Sequence, residues 1–220
     1  MSETASLSEI AQAIVELRRR DEVISMVRKK LEAGASAREI LVNDLIPGLR
    51  EVGRKFEEKE YFLADMLYSA ITMNECMKVL EPHLLKEVEK AESAGKIVLG
   101  TVAGDIHDIG KNLFATLARA AGFEVYDLGV DVSASKFVEK VKEVQPDIVA
   151  MSALLPTTAP YFKVVVEELK KAGLRDKVFV LIGGPPLVTA QEVGADAYTN
   201  DAFVGVKIAQ EYVKKKRGAS

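Results

Sequence analysis

The chain has 220 residues, of which 48% are hydrophobic and 29% charged, and its formal net charge is −3. This composition is typical of a globular protein with a sizeable core, and the length allows one or two domains. The acidic balance argues against a nucleic-acid or membrane surface, and the lone Cys76 excludes an intramolecular disulfide. No apolar stretch reaches spanning length, and the first residues lack a signal-peptide pattern. We therefore expect a cytoplasmic protein.

The first half of the chain has a helical period. From Leu7 to about Glu92 the apolar residues recur at helical spacing, which predicts a small bundle of four or five helices. Gly34 is expected to end the second helix, and Pro47 to begin another. A further helix is predicted from near Phe62, which Pro82 should end or kink. Two pairs have capping-box spacing: Ser6 with Glu9, and Ser36 with Glu39.

The second half alternates between short apolar runs and amphipathic helical patterns. This alternation predicts a parallel sheet covered by helices on both faces, a flavodoxin-like, doubly wound α/β fold with five strands. The predicted strands are 97–103, 124–128, 148–153, 178–182 and 197–198, and the predicted helices lie near 111–121, 134–144, 160–172, 186–193 and 202–216. The charged segment 86–96 is the predicted linker. We expect a helical cap domain at 1–92 and the α/β domain at 93–220.

Unusual residues follow four of the predicted strands. Since parallel strands end at one edge of a sheet, and ligands bind there, these loops should share a site. His107 in the first loop lies two residues after Asp105 and three before Gly110. An imidazole so placed can ligate a metal while the carboxylate holds its other ring nitrogen. The other three loops are Ser152–Thr158, Gly183–Pro186 and Thr199–Asp201.

Three short motifs occur on these loops in order: Asp105-x-His107-x-x-Gly110, Ser152-x-Leu154 and Gly183-Gly184. Together they resemble the cobalamin-binding domain of methionine synthase, of B12-dependent mutases and of corrinoid methyltransferase proteins. In the helical half, 52–57 and 61–64 are similar to the cap module of methionine synthase. They also resemble the corrinoid proteins that serve methanol, methylamine and aryl methyl ether methyltransferases. The resemblance covers nearly the whole chain.

The resemblance implies a cobalamin cofactor and a role for each motif residue. His107 would coordinate cobalt from the lower face, while Asp105 and a hydroxyl of Ser152 or Thr158 form a relay behind it. The nucleotide tail of the cofactor would lie along Gly183 and Gly184 and below Ser152. Phe62 and Met66 would cover the upper face. The residues expected around the cofactor are Gly104, Asp105, Ile106, His107, Asp108, Ile109, Gly110, Ser152, Leu154, Thr157, Thr158, Gly183, Gly184, Phe62 and Met66.

The implied function is that of a methyl carrier in one-carbon metabolism. Its cofactor would alternate between cob(I)alamin and methylcob(III)alamin as it passes a methyl group from a donor-specific methyltransferase to an acceptor methyltransferase. The chain is too short to contain a (β/α)₈ barrel, so the substrate sites would lie on these partners. We expect one component of an enzyme system rather than a self-sufficient enzyme, with a corrinoid reductive activator as a third partner. The cap would swing aside when a partner docks.

Other functions are less consistent with the residues. A cobalamin-dependent sensor would usually carry an output domain, and a phosphorylated receiver would need an acidic cluster in the first loop. A mutase subunit would not normally have this cap. Asp108 is expected to cap the helix that starts near Gly110. Among methanol, methylamine, betaine and aryl methyl ether donors the sequence slightly favours a methylamine or an aryl methyl ether. It leaves open tetrahydrofolate or coenzyme M as acceptor, and the oligomeric state.

Overall fold

The computed structural model describes residues 7–87 and 94–218 of the chain. The chain divides into two compact units, residues 1–87 and 88–220. The boundary predicted after residue 92, and most of the predicted linker, lie outside the described residues. No helix in the two described ranges has both the length and the hydropathy that a membrane crossing requires.

The N-terminal unit is helical, as predicted. Its apolar stripes face inward, and Val23, Ile40 and Leu80 are fully buried in its core. Five α-helices and one π-helical turn form it within the described residues: α1 (Glu9–Val15), α2 (Arg20–Glu32), α3 (Ala37–Ile40), the π-turn (Leu41–Leu45), α4 (Ile46–Glu57) and α5 (Leu63–Leu84).

Pro47 lies in the first turn of α4, as predicted, although no loop precedes that helix. Helices α3 and α4 are continuous through the π-turn, whose hydrogen bonds run over five residues, as from the Ile46 amide to the Leu41 carbonyl. A proline has no amide hydrogen for a regular helical bond, and the wider turn accommodates that loss. Asp44 in this turn is buried, and its carboxylate accepts hydrogen bonds from Lys30 Nζ at 2.8 and 2.9 Å.

The sequence predicts only some of the ends of these helices correctly. Gly34 ends α2 as predicted: it has φ +96°, its amide donates to Leu31 and the next amide donates to Lys30. The Ser36 capping box is also confirmed. Ser6 lies outside the described residues, and Ser8 caps α1 instead. Helix α5 continues two residues past Pro82, because a proline so near the end removes a single bond.

The C-terminal unit is the predicted doubly wound α/β fold. Its five strands are all parallel and lie in the order β2-β1-β3-β4-β5. The strands are β1 (Gly95–Thr101), β2 (Phe123–Asp127), β3 (Ile148–Ser152), β4 (Phe179–Gly183) and β5 (Ala197–Thr199). The helices are α6 (Ile109–Ala120), α7 (Ala134–Val144), α8 (Tyr161–Lys171), α9 (Ala190–Val193) and α10 (Ala202–Gly218).

The register brings the strand ends together at one edge of the sheet. Thr101 is the partner of Ser152, Ser152 of Gly183, and Gly183 of Thr199. From β1 the chain turns to β2 on one side, whereas β3, β4 and β5 extend on the other side. Such a reversal opens a crevice between the loops that follow β1 and β3. The first two motifs therefore lie on the two sides of this crevice.

Helix α9 is much shorter than the helix predicted near 186–193. It begins only at Ala190, after Thr189, whose backbone is extended and whose side chain accepts a hydrogen bond from the Glu192 amide. The capping box formed by Thr189 and Glu192 marks this later start of the helix.

The backbone at Gly184 leaves no room for a side chain. Its φ is +136°, and an added Cβ would lie 2.0 Å from the carbonyl oxygen of Ala153. We expect Gly184→Ala to lower the free energy of unfolding by about 3 kcal/mol, through backbone strain and this clash. Urea denaturation of the wild-type and variant chains without cofactor measures this change in the free energy of unfolding. Gly110→Ala is the control in the same unit, because a Cβ there meets nothing within 4 Å. Equal stability of the two variants would contradict the prediction.

Candidate functional site

The carboxylate of Asp105 is the centre of the site. Its side chain is fully buried and accepts four hydrogen bonds, two at each oxygen. Oδ1 accepts from the His107 amide at 3.0 Å and from His107 Nδ1 at 2.7 Å. Oδ2 accepts from the Leu154 amide at 2.8 Å and from the Thr158 hydroxyl at 2.6 Å. This one side chain thus joins the loop after β1 to the loop after β3.

These hydrogen bonds keep the Asp105 carboxylate ionised. Burial alone would raise its pKa, but the hydrogen bonds from Thr158, from the Leu154 amide and from His107 outweigh that effect. The pKa is lowered from 3.8 to about 2. An ionised carboxylate can only accept, so the hydrogen between the two side chains belongs to His107 Nδ1. Nε2 of the neutral ring then carries the lone pair that a metal requires.

The His107 ring is available to a ligand. Its side chain is 43% exposed, although Nδ1 is held by a carboxylate with no exposed surface. Within the described ranges, Nε2 has no hydrogen-bond partner. Those ranges contain no group of three or more His, Cys, Asp or Glu side chains that could hold a metal ion. A single ring nitrogen with a free lone pair can serve as one ligand of a metal that a cofactor brings with it.

Thr101 and Asp131 hold the backbone of the same loop. The Thr101 hydroxyl, which is fully buried, lies 3.0 Å from the His107 carbonyl oxygen and 2.8 Å from the Ser152 hydroxyl. Asp131 accepts a hydrogen bond from the Gly104 amide and donates its own amide to the Asp105 carbonyl. Sequence reasoning missed both. Thr101 is visible only as a hydroxyl at the end of an otherwise apolar run.

A buried ion pair fixes the start of α6. Lys111 is almost fully buried, and its Nζ lies 2.6 Å from Asp127 Oδ2 at the end of β2 and 2.7 Å from Asn112 Oδ1. Asn112 in turn donates to the Asp108 carboxylate at 3.0 Å. Asp108 does occupy the N-cap position, as predicted, but its side chain caps no backbone amide. This network ties the end of the His107 loop to β2.

Exposed apolar side chains surround the histidine loop. Ile106 is 73% exposed although it lies between Asp105 and His107. Large apolar side chains are also exposed on the loops that follow β2, β3 and β4; they are Val130, Leu154, Leu155 and Leu187. Exposed apolar groups gathered at one edge mark a surface that binds an apolar partner or ligand. This surface and the free Nε2 together fit a corrinoid, a broad apolar disc with a metal at its centre.

The predicted site residues differ in how closely they approach His107. Ser152 contacts Thr101 rather than Asp105, so the hydroxyl that reaches the carboxylate is that of Thr158. Thr157 is exposed. Gly183 ends β4 beside Ser152, and a Cβ on it would meet only carbonyl oxygens, at 3.5 Å or more.

Two predicted cofactor contacts lie in the other unit. Phe62 precedes α5 and is 74% exposed, and Met66 is half-buried in the first turns of that helix. Leu63 and Leu67 are also exposed there. That Phe62 and Met66 cover the upper face of a corrin stays a prediction.

The lowered pKa of Asp105 predicts a pH dependence of stability. Its folded pKa lies below the unfolded value, so its stabilising contribution is present above pH 3.8 and is lost as the pH falls toward 2. Between pH 5 and pH 2.5 we expect wild type to lose about 1–2 kcal/mol more stability than Asp105→Asn, which cannot ionise. Urea denaturation without cofactor at both pH values gives the difference. Parallel losses in the two proteins would show that the carboxylate is not stabilised in this way.

Comparison with known proteins places this geometry in a family. Two models described as B12 binding domains match the chain, one over residues 95–207 and the other over residues 7–81. The trimethylamine corrinoid protein of Methanosarcina barkeri is 42% identical over 84% of this chain and 87% of its own length.

Two solved structures from the same organism are also similar. The monomethylamine corrinoid protein matches with a TM-score of 0.81 and 34% identity, over 93% of this chain and 97% of that one. A chain of the methanol:cobalamin methyltransferase complex matches with a TM-score of 0.51 and 30% identity, over 93% of this chain and 78% of that one. The family predicted from the motifs, with its corrinoid cofactor and its carrier function, is confirmed. The chain belongs to the B12-binding corrinoid proteins, which carry methyl groups in methyltransferase systems.

Proposed function

We propose that this chain carries a methyl group taken from a methylated amine, on a corrinoid whose metal is ligated by His107. The observation that supports ligation by His107 most directly is the arrangement of its ring. Nδ1 is held by the buried Asp105 carboxylate, and Nε2 is free. When bound, the corrinoid supplies a cobalt ion that accepts a methyl group from one partner and gives it to another. The trimethylamine and monomethylamine corrinoid proteins among the relatives support an amine as the donor.

The relay behind His107 has two tasks in this proposal. While Nε2 is engaged, Asp105 holds the ring in the tautomer that leaves this nitrogen unprotonated. When Nε2 is released, it can take up a proton, and the same carboxylate then stabilises the charged ring. Thr158 and the Leu154 amide keep Asp105 ionised and oriented throughout, because both donate to Oδ2. Ligation at Nε2 is therefore coupled to a proton at that atom.

The surrounding loops would hold the rest of the cofactor. The exposed apolar side chains of the sheet edge suit the face of the corrin, and Ile106 and Leu154 flank His107 in this surface. Gly183 and Gly184 would line the nucleotide tail, since neither presents a side chain. Ser152 lies beside Gly183 in the register, and its hydroxyl oxygen would accept a hydrogen bond from the same part of the ligand.

Methyltransferases are the partners of corrinoid proteins, as the similar chain in the methanol:cobalamin methyltransferase complex illustrates. We extend this to a donor-specific methyltransferase, an acceptor methyltransferase and a reductive activator of the corrinoid. All three would meet the chain in the cytoplasm. Discrimination among donors would then lie in the first of these partners.

The ligation is tested by replacing each of the two histidines in the chain. After reconstitution with hydroxocobalamin, we expect His107→Ala to change the absorption spectrum of the bound corrinoid and to lower its affinity at least about tenfold. His83→Ala is the matched control: His83 is exposed on α5 and should change neither quantity. Added imidazole should restore the spectrum of the His107 variant. If His107→Ala bound and absorbed like wild type, the ligand would be another group.

The methyl donor is tested with labelled substrates. The reduced, reconstituted chain is incubated with ¹⁴C-methylated mono-, di- or trimethylamine and the methyltransferase for each amine, and the label retained by the chain is counted. We expect near-stoichiometric labelling with at least one amine, and at least about tenfold less with methanol and its methyltransferase, because partner recognition sets the specificity. Labelling from methanol alone would contradict an amine donor and leave the carrier function intact.

A further inference from the structure

Thr101 places a hydroxyl group at a buried position in the sheet, where a polar group is unfavourable unless it forms hydrogen bonds. It ends β1, which lies between β2 and β3 in the sheet, and it is fully buried after the apolar residues 97–100 of that strand. A buried hydroxyl without a partner is destabilising, and valine would fill the same space. The Thr101 hydroxyl has two partners, the His107 carbonyl at 3.0 Å and the Ser152 hydroxyl at 2.8 Å.

The directions of these two hydrogen bonds follow from the number of hydrogens. A hydroxyl has one hydrogen to donate, and a carbonyl oxygen can only accept. The hydrogen of Thr101 therefore goes to the His107 carbonyl, and Ser152 must donate its own hydrogen to Thr101. The result is a pair of successive hydrogen bonds that runs from Ser152 through Thr101 to His107. It lies on β1 and β3, strands paired at these two residues.

These two hydrogen bonds hold His107 at its carbonyl group, which Asp105 does not contact. Asp105 fixes the histidine at its amide, which precedes the Cα atom, and at Nδ1 of its side chain. The carbonyl lies on the other side, where the backbone continues into α6. With the carbonyl free, the peptide after His107 could rotate and tilt the ring while the bond to Asp105 remained. With both sides held, the direction of Nε2 is defined relative to the sheet.

We propose that Thr101, oriented by Ser152, is a positioning residue that aims His107 at the metal of the bound corrinoid. The inference rests on the proposed function of His107. It gives Ser152 a task in ligation that does not require contact with Asp105. Partners of this kind behind a metal ligand typically change affinity by about 10–100-fold when they are removed.

The test is a double-mutant cycle read by binding of hydroxocobalamin. Thr101→Val removes the hydroxyl and keeps the shape of the side chain, and we expect it to weaken binding about tenfold and to reduce the histidine-ligated fraction in the absorption spectrum. Thr101→Ser, which keeps the hydroxyl, should bind within about twofold of wild type. Thr72→Val is the control, because Thr72 is also buried and donates to a backbone carbonyl, but in α5.

The His107→Ala background separates positioning from packing. If Thr101 acts through His107, Thr101→Val has no further effect on affinity once the imidazole is absent. An equal loss in both backgrounds, an equal loss in Thr101→Ser, or wild-type binding by Thr101→Val would each overturn the inference. Failure of wild type to bind hydroxocobalamin would instead overturn the proposed function.

Wild type itself supplies a second measurement, which is needed if Thr101→Val does not fold. A buried hydroxyl hydrogen that is donated to a carbonyl exchanges slowly with water. Proton NMR of the chain without cofactor should therefore show a resolved Thr101 hydroxyl resonance at neutral pH. Its absence, with the neighbouring amides assigned, would show that the hydrogen bond to His107 is not formed.

Discussion

An ionised carboxylate without exposed surface is stable only because hydrogen bonds replace its water, and the Asp105 carboxylate has four of them. Two come from His107 on the loop after β1, and two from Leu154 and Thr158 on the loop after β3. The charge therefore joins the two sides of the crevice at which the strand order reverses. Without it, these four hydrogen bonds, two of which join the two loops, would be lost, and the ring of His107 would lose its fixed tautomer.

The other hydrogen bonds of the site extend this arrangement to the neighbouring strands. Thr101 holds the His107 carbonyl from the end of β1, and Asp131 holds the preceding backbone from the loop after β2. Lys111, at the start of α6, is paired with Asp127 at the end of β2. The loop that carries the histidine is thus held from three adjacent strands. Its ring is exposed on an otherwise fixed segment, as the proposed ligation of a metal requires.

Local patterns in the sequence predicted the sheet and the central pair of the site. The strands β1, β3 and β4 are largely buried apolar runs, and the alternation with helical patterns located β2 and β5 as well. All five were found close to their true limits, and Asp105 and His107 are near neighbours in the chain. What was missed depends on contacts through space. The hydrogen bond from Thr101 to the His107 carbonyl exists because the loop turns back over the strand end. The π-turn before Pro47 and the late start of α9 depend on backbone dihedral angles that apolar spacing does not report.

Affinity for the corrinoid and ligation of its metal fall to different residues. The apolar loops at the sheet edge would contribute free energy in proportion to the area they bury, about 25 cal/mol per Å². In the proposed function, His107 would contribute one coordination bond through Nε2. Because this apolar contribution would not pass through the histidine, the ring could leave the metal while the cofactor stays in place. A carrier needs that separation, since its metal gains and loses a methyl group while bound to one chain. The buried Asp105 and its hydrogen-bond partners would then set how readily the ring returns.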